Sequence, residues 1–159
     1  MVILITHKIF EEYHFTEDIE LAFFITENKQ FSPQDLVLKN QRVSQNTFRK
    51  RIIERDKKCI VSGANKSICE ACHIIPYCDS DDAHIYDINN GLLLRSDIHK
   101  LFDDHLVTIN HDTCEFIVSS EILNESEYEC VNIYHKKHID GLTPEILDCL
   151  RQREYLYVK

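Results

Sequence analysis

The sequence is poor in glycine and proline and has no long apolar run. It contains 3 Gly and 3 Pro among 159 residues, which excludes collagen-like and proline-rich architectures. The longest apolar runs, residues 2–5 and 21–25, are far shorter than the ~20 residues that a membrane-spanning helix needs. No basic segment precedes a long apolar stretch near the N-terminus, so we expect no secretory signal. An intracellular protein, cytoplasmic or nuclear, without membrane association is therefore predicted.

The composition is that of a folded chain. Hydrophobic residues make up 43% and charged residues 28%, a balance that excludes full disorder. The length suits one domain with a short appendage, and we predict an appendage of unknown role over residues 1–40 and a main domain over residues 41–159. The number of cysteines, 7, is odd, and we expect no export signal. Both points favour reduced thiols over a disulfide framework.

Basic residues are concentrated in one part of an acidic chain. The formal net charge of −9 argues against general nucleic-acid binding, because phosphate contacts come from Lys and Arg. Residues 41–58, here called the basic segment, nevertheless carry 7 basic against 2 acidic side chains. A solvated helix face and a phosphate-binding surface are both compatible with this segment.

Apolar periodicity and turn signals predict a mixture of helices and short strands. Ser96 is predicted to cap the N-terminus of a helix, and Asn90-Gly91 is a turn signal in which Asn tolerates a left-handed conformation. The predicted elements are, in chain order, a helix over 46–56, strands over 68–75 and 92–94, a helix from Ser96 to about Asp103, a hairpin over 106–110 and 115–118, and a helix over 144–155.

Two segments carry the residues of chemical interest. Residues 69–76 read Cys-Glu-Ala-Cys-His-Ile-Ile-Pro, and residues 89–103 read Asn-Asn-Gly-Leu-Leu-Leu-Arg-Ser-Asp-Ile-His-Lys-Leu-Phe-Asp. A strand–loop–strand–helix unit can bring His73, on the first strand, close to His99, on the helix. His99 and Asp103 are four residues apart and share a helix face. A histidine and a carboxylate on one face suit a divalent metal, which leaves His73 for acid–base chemistry.

This pattern resembles the HNH endonuclease family, whose core is the ββα-metal (His-Me finger) motif. The subgroup it resembles combines His-Ile-Ile-Pro, Asn-Gly before an apolar strand, and His-x-x-Phe-Asp. The three namesake positions correspond to His73, Asn90 and His99, and the resemblance is strong over about residues 59–110. It implies an α+β fold, with a ββα-metal core, flanking helices and a short β-hairpin, in a nuclease domain over residues 41–159.

The resemblance also implies a metal-dependent endonuclease that hydrolyses DNA phosphodiester bonds. His73 would be the general base that activates water, and Asn90 would hold the loop and strand together and orient His73. One divalent ion would lie near His99, with Asp103 and Cys72 as further candidate ligands. Mg²⁺ is the expected ion, with Mn²⁺, Ni²⁺ and Zn²⁺ as alternatives.

Cys72 departs from the family pattern, since many HNH enzymes have a metal-binding Asp or His immediately before the base. A thiolate prefers softer metals, whereas Mg²⁺ prefers oxygen. Either Cys72 is a packing residue and the ion relies on His99, Asp103 and water, or the site prefers a transition metal. We favour the first, since the subgroup that the sequence resembles typically has a small residue at this position. Asp103 is equally compatible with a surface carboxylate at a helix end.

The expected partner is double-stranded DNA, which the protein is expected to bind with weak sequence preference. The candidate phosphate contacts are Arg49, Lys50 and Arg51 in the basic segment, and Arg95 and Lys100 beside His99. Residues 1–40 are short and acidic for a DNA-reading module, so we expect dimerisation or a guiding partner protein to deliver the enzyme.

Two other functions compete with the nuclease. A non-catalytic nucleic-acid-binding module would use the His/Cys cluster to hold a structural zinc, although Cys69 and Cys72 have the right spacing without a second pair. An acidic interaction protein descended from a nuclease is the other alternative. His105 lies close enough in sequence to the site to be a further candidate, and the acidic residues 79–82 lack the pattern of an EF-hand loop.

Overall fold

The computed structural model describes residues 33–76 and 85–157, with side chains over 44–76 and 85–156. The chain divides into two units, Met1–Leu38 and Lys39–Lys159, and the described side chains belong to the second. Most of the predicted appendage and the acidic residues 79–82 lie outside the described residues. Within the described residues, no helix is both long enough and apolar enough to cross a lipid bilayer.

The described part of the chain combines helices with two small antiparallel sheets, which confirms the predicted α+β class. Strands β1 and β2 form one sheet, and β3 and β4 form the other. The elements are α1 (Pro33–Asp56), β1 (Cys69–His73), β2 (Gly91–Arg95), α2 (Ser96–Asp103), β3 (Val107–Ile109), β4 (Phe116–Val118), α3 (Glu129–Asn132) and α4 (Pro144–Tyr157), with 3₁₀ turns at Lys66–Ile68, Ile88–Asn90 and Ser126–Tyr128.

The unit β1–β2–α2 is the structural core of the site. Cys69 pairs with Arg95 and His73 pairs with Gly91 at the two ends of the β1–β2 ladder, and α2 packs against both strands. The apolar run of β2 is buried throughout, as expected for a strand covered on both faces. Helix α2 buries Ile98, Leu101 and Phe102, whose spacing of three and four places them on one face.

Helix α1 packs against β2 at a glycine. Phe48 and Ile52, four residues apart, are both buried. A Cβ atom added at Gly91 would lie 2.5 Å from Phe48 and 2.6 Å from Ile52. Since real Cβ atoms do not approach so closely, a side chain at this position would have to displace the ends of Phe48 and Ile52.

One member of the basic segment has a structural role. Arg55 donates hydrogen bonds to the carbonyls of Ile88 at 2.6 Å and Gly91 at 2.7 Å, and it pairs with Asp56 at 2.6 Å. The carboxylate of Asp56 in turn accepts from the backbone N–H of Leu93 at 2.9 Å. Arg55 therefore fixes the end of α1 to β2 instead of contributing to a phosphate-binding surface.

Three local predictions are wrong in detail. Helix α1 begins at Pro33 instead of residue 46. Arg95 occupies the N-cap position of α2 with no side-chain cap, and Ser96 instead donates its hydroxyl to the carbonyl of Ile68 at 3.3 Å. Asn90 lies in a 3₁₀ turn and is not among the residues of positive φ, so its role is not to form a left-handed turn.

Candidate active site and metal centre

Three potential metal ligands meet where β1 crosses α2. Cys72 Sγ lies 3.9 Å from Asp103 Oδ1, and His99 Nε2 lies 3.2 Å from Asp103 Oδ2. One donor atom from each residue lies within 4.8 Å of the other two. The side chains of His99 and Asp103 are 21% and 53% exposed, so solvent reaches the group. Sulfur, nitrogen and oxygen donors at these separations fit one divalent ion. Sequence spacing predicted that His99 and Asp103 share a face, and Cys72 was a candidate ligand through the family resemblance.

Glu70 supports this cluster and was not predicted. Its carboxylate oxygen Oε2 lies 3.0 Å from His99 Nδ1. A carboxylate accepts, so Nδ1 donates to Glu70, and this contact places Nε2 on the side of Asp103, 3.2 Å from its Oδ2. Metal-binding histidines commonly donate one ring N–H to a carboxylate in this way and use the other nitrogen for the ion. Hydrogen bonds from Ser96 and His99 lower the pKa of Glu70, which keeps this partner ionised. The signal in the sequence is the placement of Glu70 two residues before Cys72, on the same face of β1.

Cys72 is a protonated thiol in the metal-free protein. Burial raises the pKa of Cys72 well above its usual value, and the negative charge of Asp103 raises it further. A metal that binds Cys72 as thiolate therefore has to displace a proton. The sulfur lies 3.3 Å from the carbonyl oxygen of His73 and 3.9 Å from Asp103 Oδ1, so the thiol contacts the backbone of β1 as well as the ligand group.

His73, the last residue of β1, has a fixed ring orientation. Its ring stacks on Phe48 with centroids 4.4 Å apart and planes 3° from parallel. Its Nε2 lies 2.8 Å from the carbonyl oxygen of Ile85. Since a carbonyl oxygen only accepts, Nε2 carries the proton of the neutral ring and Nδ1 carries the basic lone pair.

His73 is electrostatically coupled to the metal-ligand cluster. Burial lowers the pKa of His73 below its usual value, the hydrogen bond to Ile85 and the charge of Asp103 partly offset this, and His99 lowers it further. The ring is therefore neutral at neutral pH and lies within electrostatic range of both His99 and Asp103. The residue remains partly exposed, as a base that contacts water requires.

Asn90 fixes the backbone that follows His73. It is fully buried, and its Oδ1 accepts from the backbone N–H of Ile75 at 2.7 Å while its Nδ2 donates to the carbonyl of Ile75 at 3.3 Å. The carbonyl of Asn90 accepts from the N–H of Ile74 at 3.0 Å. Asn90 thus binds both residues after His73, the arrangement expected of a residue that holds strand and loop together.

The predicted phosphate contacts in α1 are on the surface. Arg49, Lys50 and Arg51 are all exposed. Arg49 also donates to the carbonyl of Cys69 at 3.1 Å, so its side chain is anchored to the start of β1. In the sequence these three residues follow Phe48, whose ring stacks on that of His73.

Arg95 and Lys100, the other predicted phosphate contacts, have carboxylate partners within the chain. Arg95 pairs with both oxygens of Asp97 at 2.6 and 2.7 Å, and Lys100 pairs with Asp104 at 2.8 Å. A phosphate would have to compete with these carboxylates for either side chain.

The Cys-x-x-Cys pair is not arranged as a zinc chelate. Residues three apart on a strand lie on opposite faces. The Cys69 thiol donates to the carbonyl of Asn65 at 3.1 Å, whereas the Cys72 sulfur contacts the His73 carbonyl and Asp103. Among the described residues, the cluster that brings three potential ligands together is Cys72, His99 and Asp103.

Comparison with known families agrees with this geometry. Residues 59–110 match the family model described as HNH endonuclease, which covers β1, β2 and α2 together with His73, Asn90 and His99. A comparison with curated proteins finds no match. The match confirms the resemblance seen in the sequence and indicates nuclease-type activity on nucleic acid. Through residues 59–110, the chain is therefore similar to the HNH endonuclease family.

Proposed function

We propose that the protein is a metal-dependent endonuclease that hydrolyses DNA phosphodiester bonds, with residues 41–159 as its nuclease domain. His73 is the general base, and Cys72, His99 and Asp103 hold one divalent ion. The observation that carries this proposal is the pairing of a neutral histidine, held by Nε2 with Nδ1 as its basic nitrogen, with a solvent-accessible group of three metal ligands.

His73, Ile85 and Asp103 each have a role in the proposed hydrolysis. Nδ1 of His73 accepts a proton from the attacking water. Nε2 keeps its own proton and donates it in a hydrogen bond to the carbonyl of Ile85, which stabilises the cation that forms. The negative charge of Asp103, which raises the pKa of His73, favours the same protonated state. A bound divalent ion supplies Lewis-acid stabilisation of the scissile phosphate and the leaving 3′ oxygen. Hydrolysis leaves 5′-phosphate and 3′-hydroxyl ends.

The donor set bears on the choice of metal. Mg²⁺, the ion expected from the family resemblance, binds oxygen ligands, whereas this group combines sulfur, nitrogen and oxygen. The proximity of the Cys72 sulfur to the donor atoms of His99 and Asp103 supports the alternative in which Cys72 is a ligand. We therefore favour a transition metal such as Mn²⁺, Ni²⁺ or Zn²⁺ over Mg²⁺.

The basic side chains of α1 suit the DNA backbone. Arg49, Lys50 and Arg51 are exposed and follow Phe48 in α1, the helix whose Phe48 ring stacks on His73. Phosphate contacts from such residues position a duplex without reading its sequence, so weak sequence preference follows. Delivery by dimerisation or by a guiding partner protein stays a prediction.

The proposal is tested by nicking of supercoiled plasmid in Mg²⁺, Mn²⁺, Ni²⁺ and Zn²⁺. Wild-type protein is expected to convert the plasmid to open circles in at least one of these ions, and nicking should stop when the ion is chelated. His73→Ala should lose ~100-fold or more of the rate, the usual contribution of a general base, while its gel-shift affinity for DNA is unchanged. His138→Ala, which alters an exposed histidine paired with Asp140, is the matched control and should cut like wild type.

The opposite result is equally specific. Wild type that nicks in none of these ions, while retaining stoichiometric zinc through mild chelation, would contradict the proposal in favour of a non-catalytic zinc-stabilised module. A His73→Ala variant that cuts at the wild-type rate would remove the general base from the mechanism.

A further inference from the structure

A buried arginine lies beneath the site, outside the segment that matches the HNH family. Arg153 belongs to α4 (Pro144–Tyr157) and is 4% exposed. Its neighbour on the same helix, Arg151, is exposed and pairs with Asp148 at 2.9 Å. Arg153 therefore differs from Arg151, a surface residue of α4, because its side chain is buried in the protein interior.

The guanidinium of Arg153 joins the two elements that carry the site. Nη1 donates to the carbonyl of Ile74 at 2.6 Å, and Nη2 donates to the carbonyl of Phe102 at 2.5 Å. Ile74 directly follows His73, and Phe102 directly precedes Asp103. One planar group therefore spans the strand end that bears the base and the helix end that bears a metal ligand.

Further contacts restrict the guanidinium to one orientation. It lies over the ring of Phe102, with its central carbon 4.0 Å from the ring centroid, and Nη2 contacts Nδ1 of His105 at 3.0 Å. His105 has a φ of 60°, in the left-handed region where the chain turns away from α2. Arg153 thus holds the carbonyl end of α2 and the reversal that follows it, where a cation also interacts favourably with the helix dipole.

The chemistry of this contact favours a geometric role. Burying a cation has a large desolvation cost, and an apolar side chain of similar volume often stabilises a core as well or better. What an apolar chain or a lysine cannot supply is a rigid fork with donors at fixed separation. The two carbonyls that this fork holds are those next to His73 and Asp103.

We propose that Arg153 is a positioning residue of the nuclease site, which sets the separation of His73 from the metal-ligand cluster through the carbonyls of Ile74 and Phe102. The inference rests on the proposed function and extends it to α4, which lies outside the family match. It makes cleavage depend on the docking of the C-terminal helix.

The test compares Arg153→Lys and Arg153→Met with wild type, and uses Arg151→Met as the matched control. Arg153→Lys keeps the charge and loses the fork, whereas Arg153→Met keeps much of the volume and loses both. Three measurements are made on the full chain: urea unfolding for the midpoint, calorimetry for the Mn²⁺ dissociation constant, and plasmid nicking for kcat and KM. Calorimetry and nicking are done under conditions where each variant is fully folded by circular dichroism.

Both Arg153 variants are expected to lower kcat about tenfold or more, a barrier increase of ~1.4 kcal/mol. The KM for DNA should stay near its wild-type value, because the interaction positions groups for the reaction instead of binding substrate. The Mn²⁺ dissociation constant should rise about tenfold, the usual effect of removing a group that orients metal ligands. Arg151→Met should match wild type in all three.

Two outcomes would overturn the inference. If the folded Arg153 variants keep wild-type kcat and Mn²⁺ affinity and only their urea midpoint falls, Arg153 serves stability alone. If Arg153→Lys restores both quantities, charge and not the fork is what matters. Should Arg153→Met fail to fold, the milder Arg153→Lys decides the question.

Failure of the proposed function is recognised separately. Wild type that does not nick DNA in any ion contradicts the nuclease proposal. The Mn²⁺ measurement does not require cleavage, so it still reports whether Arg153 organises the cluster of Cys72, His99 and Asp103.

Discussion

Replacement of Asn90 by alanine is the sharpest structural perturbation that the site offers. Its side chain makes two hydrogen bonds to the backbone of Ile75, at 2.7 and 3.3 Å, in a position with no exposed surface. Asn90→Ala removes both at once, where water cannot readily replace them. The affected backbone directly follows His73, so stability and the placement of the base should change together.

The magnitude follows from these two contacts. Removing a buried hydrogen-bond partner leaves a desolvated group and costs ~1–3 kcal/mol, and the longer contact should contribute less than the shorter one. We therefore expect Asn90→Ala to lower the free energy of unfolding by ~2–4 kcal/mol. For a unit the size of Lys39–Lys159, with about 4 °C per kcal/mol, the Tm should fall by ~8–16 °C.

Urea unfolding followed by circular dichroism measures this loss, and Asn90→Asp provides a control with a defined pH dependence. Its carboxyl group still accepts from the Ile75 N–H, but only the protonated form can donate to the Ile75 carbonyl. Burial raises the folded-state pKa of this carboxyl above its unfolded value of about 3.9. The protonated form therefore stabilises the fold fully below that unfolded pKa, and its contribution is lost as pH rises through the folded pKa. Relative to wild type, the deficit should be smallest near pH ~4 and increase towards neutrality.

Two results would refute this reasoning about Asn90. One is a loss of less than ~1 kcal/mol in Asn90→Ala, which is below the cost of leaving one buried backbone group unsatisfied. The other is an Asn90→Asp deficit that does not change with pH. Either would mean that the backbone after His73 is held by other contacts.

Three further predictions concern α1, the metal and the base. Gly91→Ala should lower the free energy of unfolding in urea by ~1–3 kcal/mol through overpacking against Phe48 and Ile52. It should also slow nicking, because the ring of Phe48 stacks on His73. An unchanged urea midpoint would contradict the close approach of α1 to Gly91. Co²⁺ should produce a sulfur-to-metal charge-transfer absorption that Cys72→Ser abolishes, and a wild-type spectrum without this band would exclude Cys72 as a ligand. At saturating metal, the nicking rate should reach its plateau at or below pH ~6.5, the ordinary pKa of histidine. The reason is that burial lowers the pKa of His73, and a nearby cation lowers it further. A nicking rate that still rises steeply above pH ~7 would exclude a base with a lowered pKa.

The elements around the site were predictable where the sequence pattern is strongly apolar. Strand β2 contains three consecutive leucines, and the apolar residues of α2 are spaced by three and four, so both elements appear close to their predicted bounds. Helix α1 was predicted only from residue 46, although it begins at Pro33. Residues 33–45 lack a clear apolar period, and proline at a first helical position resembles a turn signal in sequence.

The candidate ligand cluster was predictable in part, and the contacts that support it were not. The sequence spacing indicates that His99 and Asp103 share a helix face, whereas Cys72 became a candidate only through the family resemblance. Arg153 bonds to a carbonyl 79 residues away, and a charged residue on an amphipathic helix is normally expected in solvent. Such a contact depends on tertiary packing, which local pattern does not specify.

The central claim is that the imidazole of His73 removes the proton from the attacking water. Chemical rescue tests it most directly, since His73→Ala vacates the space beside Phe48 that the ring occupies. Free imidazole should restore nicking by His73→Ala in a saturable manner, and it should not restore His99→Ala, whose defect lies in the metal-ligand cluster. Absence of rescue in a His73→Ala protein that still binds DNA and metal, or equal stimulation of wild type, would contradict the claim.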